Sequence, residues 1–302
     1  QVYTVTYGDE TIEGTEGQTE FTLSTGDTLT VVPTEKGANG VKNVSDSGAN
    51  SFTWSITNEA NYTKGEDTVG TLTINKRTVT LTSATDSKTY DGDPLTNDEV
   101  TATGDGFAKG EGATYDVTGT QTLVGSSANT FTYTLTEGTK ADNYTITKVE
   151  GTLTVTDGTG EGEDPIPDEK VVTKSTGDEE TNSEKYHVGD TVEWTIWVKN
   201  IYDEEKSLTV TEIEGMQIVA PTELPKTLKA GAELTITVQH VVTVADINSE
   251  NGKIYNKVTV KLGDLEKTGE DDVETEKIKI TITADSASKT HDSTPLAKNS
   301  AT

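Results

Sequence analysis

Along most of this chain apolar residues alternate with polar ones over short runs, and the polar member is usually threonine. RTVTLTS (Arg77 to Ser83), ANTFTYTLT (Ala128 to Thr136), VEWTIWVKN (Val192 to Asn200) and ELTITVQHVV (Glu233 to Val242) all keep a period of two. That period puts successive side chains on opposite faces of a strand and leaves one face apolar. Further strands are expected at Val2 to Tyr7, Thr28 to Val32, Ser51 to Thr57, Gly70 to Ile74, Leu208 to Ile213 and Tyr255 to Val260. Gly, Asn, Asp and Ser cluster between the runs, which is turn chemistry. No window of about 11 residues holds a helical period, so little helix is expected. Short strands with turn signals between them predict an all-β chain of tandem immunoglobulin-like β-sandwich modules in an elongated array.

The pattern also repeats. KTYDGDPL (Lys88 to Leu95) returns as KTHDSTPL (Lys289 to Leu296), 201 positions later, and the match extends upstream without a gap from TLTSATDSK to TITADSASK. ANSFTWSIT, NYT and GTLTI, beginning at Ala49, Asn61 and Gly70, recur as ANTFTYTLT, NYT and GTLTV, beginning at Ala128, Asn143 and Gly151. Periodicity of this kind fixes architecture. Residues 1–76 form one module without its first strand, 77–156 a complete copy, 169–275 a third module of different sequence, and 276–302 the opening strand of a further repeat. The run DGTGEGEDPIPD, residues 157–168, has neither alternation nor bulk and is expected to act as a hinge unless Pro165 and Pro167 hold it extended. The Ile74-Asn75-Lys76-Arg77 junction leaves almost no slack, so the first two modules are expected to be stiffly coupled.

The closing segment therefore carries the strand that the first module lacks. Lys277, Ile278, Ile280, Ile282, Lys289 and Leu296 are expected to complete the head of an adjacent copy, in one long polypeptide or between subunits, because an unpaired strand exposes backbone groups. An arbitrary boundary with a frayed tail is the alternative.

Composition narrows the functional classes. With Lys+Arg 24 against Asp+Glu 52 the net charge is −28, which repels phosphate backbones and anionic membranes and excludes nucleic acid as a partner. Only 30% of residues are hydrophobic, material for small cores rather than one large one. The acidic clusters Glu161, Glu163, Asp164, Asp168, Glu169 and Glu270, Asp271, Asp272, Glu274, Glu276 read as solvated linker charge, and the spacing of a calcium loop is absent. There is no cysteine, so no disulfide, thiolate zinc site or thiol nucleophile is available. No run of about 18 apolar residues predicts membrane insertion within these residues.

Nothing in the sequence aligns catalytic groups. His187, His240 and His291 stand in different segments without the spacing that aims two imidazoles at one metal, and His240 and His291 read as structural. No nucleophile elbow or phosphate-cradling glycine loop is present, so neither enzyme activity, a metal nor a cofactor is expected. Trp54 and Trp194 share strand faces with apolar neighbours and are expected in cores. Trp197 has the opposite parity to Trp194, faces outward and is the candidate contact for a ligand or a neighbouring domain.

RTVTLTSATDSKTYDGDPLTN and the run from GTQTLVGSSANTFTYTLT to DNYTITKVEGTLTV together resemble the MBG-type repeats of bacterial surface proteins, common in anaerobic gut Firmicutes. KYHVGDTVEWTIWVKN, LKAGAELTITVQHVVTVADI and YNKVTV resemble the conserved-repeat, Cna-B-like family. These resemblances imply an extracellular stalk or filament segment at a bacterial cell surface, with adjacent copies as partners. A glycan- or host-protein-binding adhesin module is the alternative. They also imply one chemical possibility, a self-formed isopeptide crosslink between a buried neutral lysine and an asparagine carboxamide, helped by a protonated acid. Strand parity selects Lys174, which shares a face with Val172, and Asn256, which shares one with Val258 and Val260. It selects Asp190 as the acid, with the parity of Val192 and Trp194.

Overall fold

The structure is a computed structural model and describes residues 2–176, 185–212, 215–249 and 251–296. It is all β, with short helical turns such as Glu35–Asn39 and Val244–Ile247 between strands. Among the described residues no helix is long and apolar enough to cross a membrane. The chain divides into two compact units: Gln1–Thr85 with Asn97–Gly119 and Ala128–Thr152, and Asp86–Thr96 with Thr120–Ser127 and Leu153–Thr302. The second repeat is thus shared between the units, a division that its sequence period does not reveal.

In the first unit, the opening repeat forms the hairpin Thr4–Tyr7 with Glu10–Glu13, the sheet Glu20–Thr22, Thr28–Pro33 and Phe52–Ile56, and the short pair Gly48–Ala49 with Thr71–Leu72. Its core is small: Tyr3, Phe21, Leu29 and Val31 are buried, with Phe52, Trp54 and Ile56 packed against them only in part. In the second repeat Arg77–Ser83 lies between Val100–Gly104 and Tyr144–Val149, antiparallel to the first and parallel to the second. Its inward residues Val79 and Leu81 meet Phe131 and Tyr144. Ser83 donates to the Asn129 carbonyl at 2.6 Å and accepts the Gly151 amide at 2.9 Å. Asn129 in turn donates to the carbonyls of Ala84 and Asn97. Trp54 is half-buried, its Nε1 donating to Asp67 at 2.8 Å.

The second unit is built on two four-stranded sheets. One has the order Val172–Thr176, Thr191–Lys199, Glu233–Val241, Gln217–Ala220; the other Thr227–Leu228, Lys206–Glu212, Lys253–Leu262, Leu265–Glu274. Their inward rows share one core centred on Trp194, Ile196, Ile236, Val258 and Leu262. The strand expected to run to Ile213 is described to Glu212, and Ile213 lies outside the described residues.

Two expectations need correction. Glu270, Asp271, Asp272 and Glu274 are not linker charge, because they belong to the ten-residue strand Leu265–Glu274. Leu265, Gly269 and Val273 are buried on it, while Asp271 accepts the Thr176 amide at 2.8 Å and Asp272 pairs with Lys253 at 2.7 Å. Nor are residues 157–168 a slack hinge. Asp157 accepts the Tyr202 hydroxyl at 2.7 Å, Ile166 is buried in the core cluster, the Ile166 carbonyl accepts Lys267, and Asp168 accepts Thr268. One apolar side chain and three polar ties within the unit fix this stretch despite its hinge-like composition.

Candidate functional site

The inner row of Lys253–Leu262 reads Ile254, Asn256, Val258, Val260, Leu262, all buried, so an amide stands where the pattern asks for a hydrocarbon. Both the nitrogen and the oxygen of the Asn256 carboxamide are buried without a hydrogen-bond partner. An unsatisfied buried polar group costs roughly 1–3 kcal/mol, so two on one side chain ask for an explanation.

Two further polar side chains enter the same interior. Lys174 lies on the inward row of Val172–Thr176, and its side chain is 0% exposed. The lysine therefore does not reach out to water. Its Nζ donates to both carboxylate oxygens of Glu212, at 2.8 and 2.9 Å, and Glu212 is itself only 6% exposed. Glu212 follows Leu208 and Val210 on the inward row of Lys206–Glu212 and stands directly across from Val258. On the other side of Val258 stands Gly269. A Cβ there would lie 3.4 Å from both the Lys174 Cβ and Val258, so the absent side chain leaves the lysine its path. Asn256 precedes Val258 by two residues on the same face and is thus the diagonal neighbour of Glu212, within reach of long side chains. Lysine and carboxyl meet in the interior that also buries the carboxamide.

Burial sets their protonation. It lowers the Lys174 pKa, partly opposed by the Glu212 carboxylate, and raises that of Glu212, partly opposed by Lys174. Both shifts act in the direction that moves the shared proton from nitrogen to oxygen, toward a neutral amine beside a protonated acid. That pair suits nucleophilic attack on an amide.

Asp190, the acid that strand parity selects, is elsewhere. It lies half-exposed in the turn before Thr191–Lys199, where it accepts the His187 amide at 2.7 Å. Glu212 is the carboxyl that lies beside Lys174. Its parity with Leu208 and Val210 is legible in LTVTE. Trp197 is on the outward face, half-buried, with Nε1 donating to Glu233 at 3.2 Å and Lys199 above its ring. His240 bridges the Gly215 carbonyl and Asp246 at 3.0 and 2.9 Å. Lys277, Ile278, Ile280, Ile282, Lys289 and Leu296 lie in a segment that is exposed throughout its described length.

No family model matches the chain, and no curated protein matches it. Among solved structures it is similar to a FixG-related protein from Vibrio parahaemolyticus, with 10% identity over 34% of this chain and 94% of that one and a TM-score of 0.24. It is also similar to an α-2-macroglobulin from Salmonella, with 9% identity over 83% of this chain but 18% of that one and a TM-score of 0.27. A third similarity, with 11% identity, is to an endo-fucoidan hydrolase of glycoside hydrolase family 107, covering 92% of this chain and 37% of that one with a TM-score of 0.25. Overall similarities this low assign the chain to no family.

Proposed function

We propose that this chain is a structural segment of an extracellular bacterial stalk or filament, built from tandem β-sandwich modules, and that its third module is locked by an amide bond between Lys174 and Asn256. It performs no catalytic turnover on an outside substrate. The observation that carries this reading is the Asn256 carboxamide, buried without a partner in the interior that holds Lys174 and Glu212.

The chemistry balances within the chain. The neutral Lys174 Nζ attacks the Asn256 carbonyl carbon while Glu212 donates its proton toward the carbonyl oxygen. The resulting carboxylate takes a proton from the new nitrogen and delivers it to the leaving amide nitrogen. As the intermediate collapses, the C–N bond to the leaving nitrogen breaks, ammonia departs, and the hydroxyl proton returns to Glu212, which ends protonated as it began. The product amide N–H gains an acceptor in Glu212, so a polar group left unsatisfied by the fold finds a partner. Position supports a mechanical role as well: the bond would tie Val172–Thr176 of one sheet to Lys253–Leu262 of the other. A chain without cysteine has no disulfide to do the same.

Single-molecule stretching tests this directly. The third module is expected to unfold with the residues between 174 and 256 missing from its extension. Asn256→Ala is expected to restore them. Full extension of the unsubstituted chain would refute the mechanical reading.

A further inference from the structure

We infer that the Trp194 indole is the hydrogen-bond donor to the Asn256 carbonyl oxygen as the Lys174–Asn256 amide forms. This role rests on the crosslink reading and goes to a side chain that strand parity alone counts as core.

Two side chains in the core of the third module carry polar atoms without a hydrogen-bond partner, and the two are complementary. Trp194 is 0% exposed, and its Nε1–H, which can only donate, donates to nothing. Asn256 is 1% exposed, and its Oδ1 accepts from nothing. Among the described residues the one other side chain with such an atom, Asn129, belongs to the first unit. Buried polar groups are almost always paired, so a free donor and a free acceptor within one core call for a common reason.

Sheet register puts them at one level of the sandwich. In the first sheet Thr176 pairs with Trp194, and Lys174 pairs with Ile196. In the second Asp271 pairs with Asn256, and Gly269 pairs with Val258. Two contacts between the edge strands align these ladders. The Thr176 amide donates to Asp271 at 2.8 Å, and a Cβ on Gly269 would lie 3.4 Å from that of Lys174. Thr176 thus stands level with Asp271 as Lys174 does with Gly269. One strand further in, the level of Thr176 and Asp271 holds Trp194 on one sheet and Asn256 on the other. Beside it, Lys174 Nζ already crosses to Glu212, whose register partner Val258 is the next inward residue after Asn256.

An indole that is unpaired before reaction suits the task. Attack by Lys174 turns the Asn256 carbonyl carbon tetrahedral and builds negative charge on its oxygen. A donor engaged only at that point lowers the barrier without stabilising the ground state. The oxygen has two lone pairs, so it takes the indole hydrogen bond together with the Glu212 proton. Trp194 keeps its own hydrogen throughout, which leaves the proton balance of closure unchanged.

The full-length chain, freshly translated and quenched at intervals in acidic denaturant, reports closure by intact mass as the loss of one ammonia. Trp194→Phe keeps an aromatic ring without the donor and is expected to slow that loss about a hundredfold, the effect of removing one oxyanion donor. Val238→Ala, at the position paired with Trp194, loosens the same level of the core but keeps the indole, and is expected to close at the unsubstituted rate. A second measurement does not depend on Trp194→Phe folding. With Trp54→Phe and Trp197→Phe, Trp194 is the one indole left. Its N–H proton resonance in the closed chain is expected downfield of its position when Asn256→Ala is added. Closure of Trp194→Phe at the unsubstituted rate, equal slowing by Val238→Ala, or an indole resonance indifferent to Asn256→Ala would overturn the role of Trp194 and leave the crosslink standing. An unsubstituted chain that never loses ammonia would overturn both.

Discussion

Replacing Lys174 with alanine is expected to destabilise the module spanning residues 169–275 by roughly 3–5 kcal/mol, the cost of removing one partner from a buried ion pair. Before amide closure the variant leaves Glu212, 6% exposed, without its cation. After closure the loss has the same size by another route. A covalent tie between 174 and 256 removes loop entropy from the unfolded chain worth about 4–5 kcal/mol by the relation used for disulfides. Denaturant unfolding followed by the fluorescence of Trp194 and Trp197, both in this module, measures the loss. The paired replacement Lys174→Met with Glu212→Leu removes both buried charges and is expected to recover the part due to the orphaned carboxylate. It is not expected to recover the part due to the covalent tie.

Asn200→Ala is expected to cost about 3–4 kcal/mol in the same assay. The side chain is fully buried and holds a turn together: Nδ2 lies within hydrogen-bonding distance of the carbonyls of Glu204, Leu228 and Lys229 at 2.8–3.0 Å, and Oδ1 accepts the Tyr202 amide at 3.0 Å. Orphaning the Glu204 and Leu228 carbonyls and the Tyr202 amide at about 1 kcal/mol each, the low end of the range for buried polar atoms, gives about 3 kcal/mol, and the weakened Lys229 carbonyl, which keeps the Ala232 amide, adds the remainder. Asn200→Asp should not rescue, since it sets a carboxylate against three carbonyl oxygens. A rescue by aspartate, or a loss below about 1 kcal/mol for alanine, would show that the turn is held by other contacts.

Much of this architecture was legible as period. The strands around Val79, Phe131, Trp194, Ile236 and Val258 were readable because one face of each is buried by hydrocarbons, and alternation records that directly. Leu265–Glu274 was not readable, because it is an edge strand whose buried residues, Leu265, Gly269 and Val273, recur every fourth position amid acids. Residues 157–168 misled for a related reason: a single buried side chain, Ile166, outweighs a composition typical of linkers. At the site, Lys174 and Asn256 stood out as polar residues at apolar parity. Glu212 has the same signature, yet parity says which face a residue occupies and not which strands of opposite sheets face one another. Only the sheet order puts Glu212 across from Val258 and beneath Lys174.

The most direct test of the central claim is the intact mass of the denatured, full-length chain. A value short of the sequence mass by one ammonia, restored to the full mass of the variant by Asn256→Ala or Lys174→Ala and also by Glu212→Ala, is the predicted result. An unsubstituted chain at its full sequence mass would contradict the crosslink and leave Lys174 and Glu212 as a buried ion pair alone.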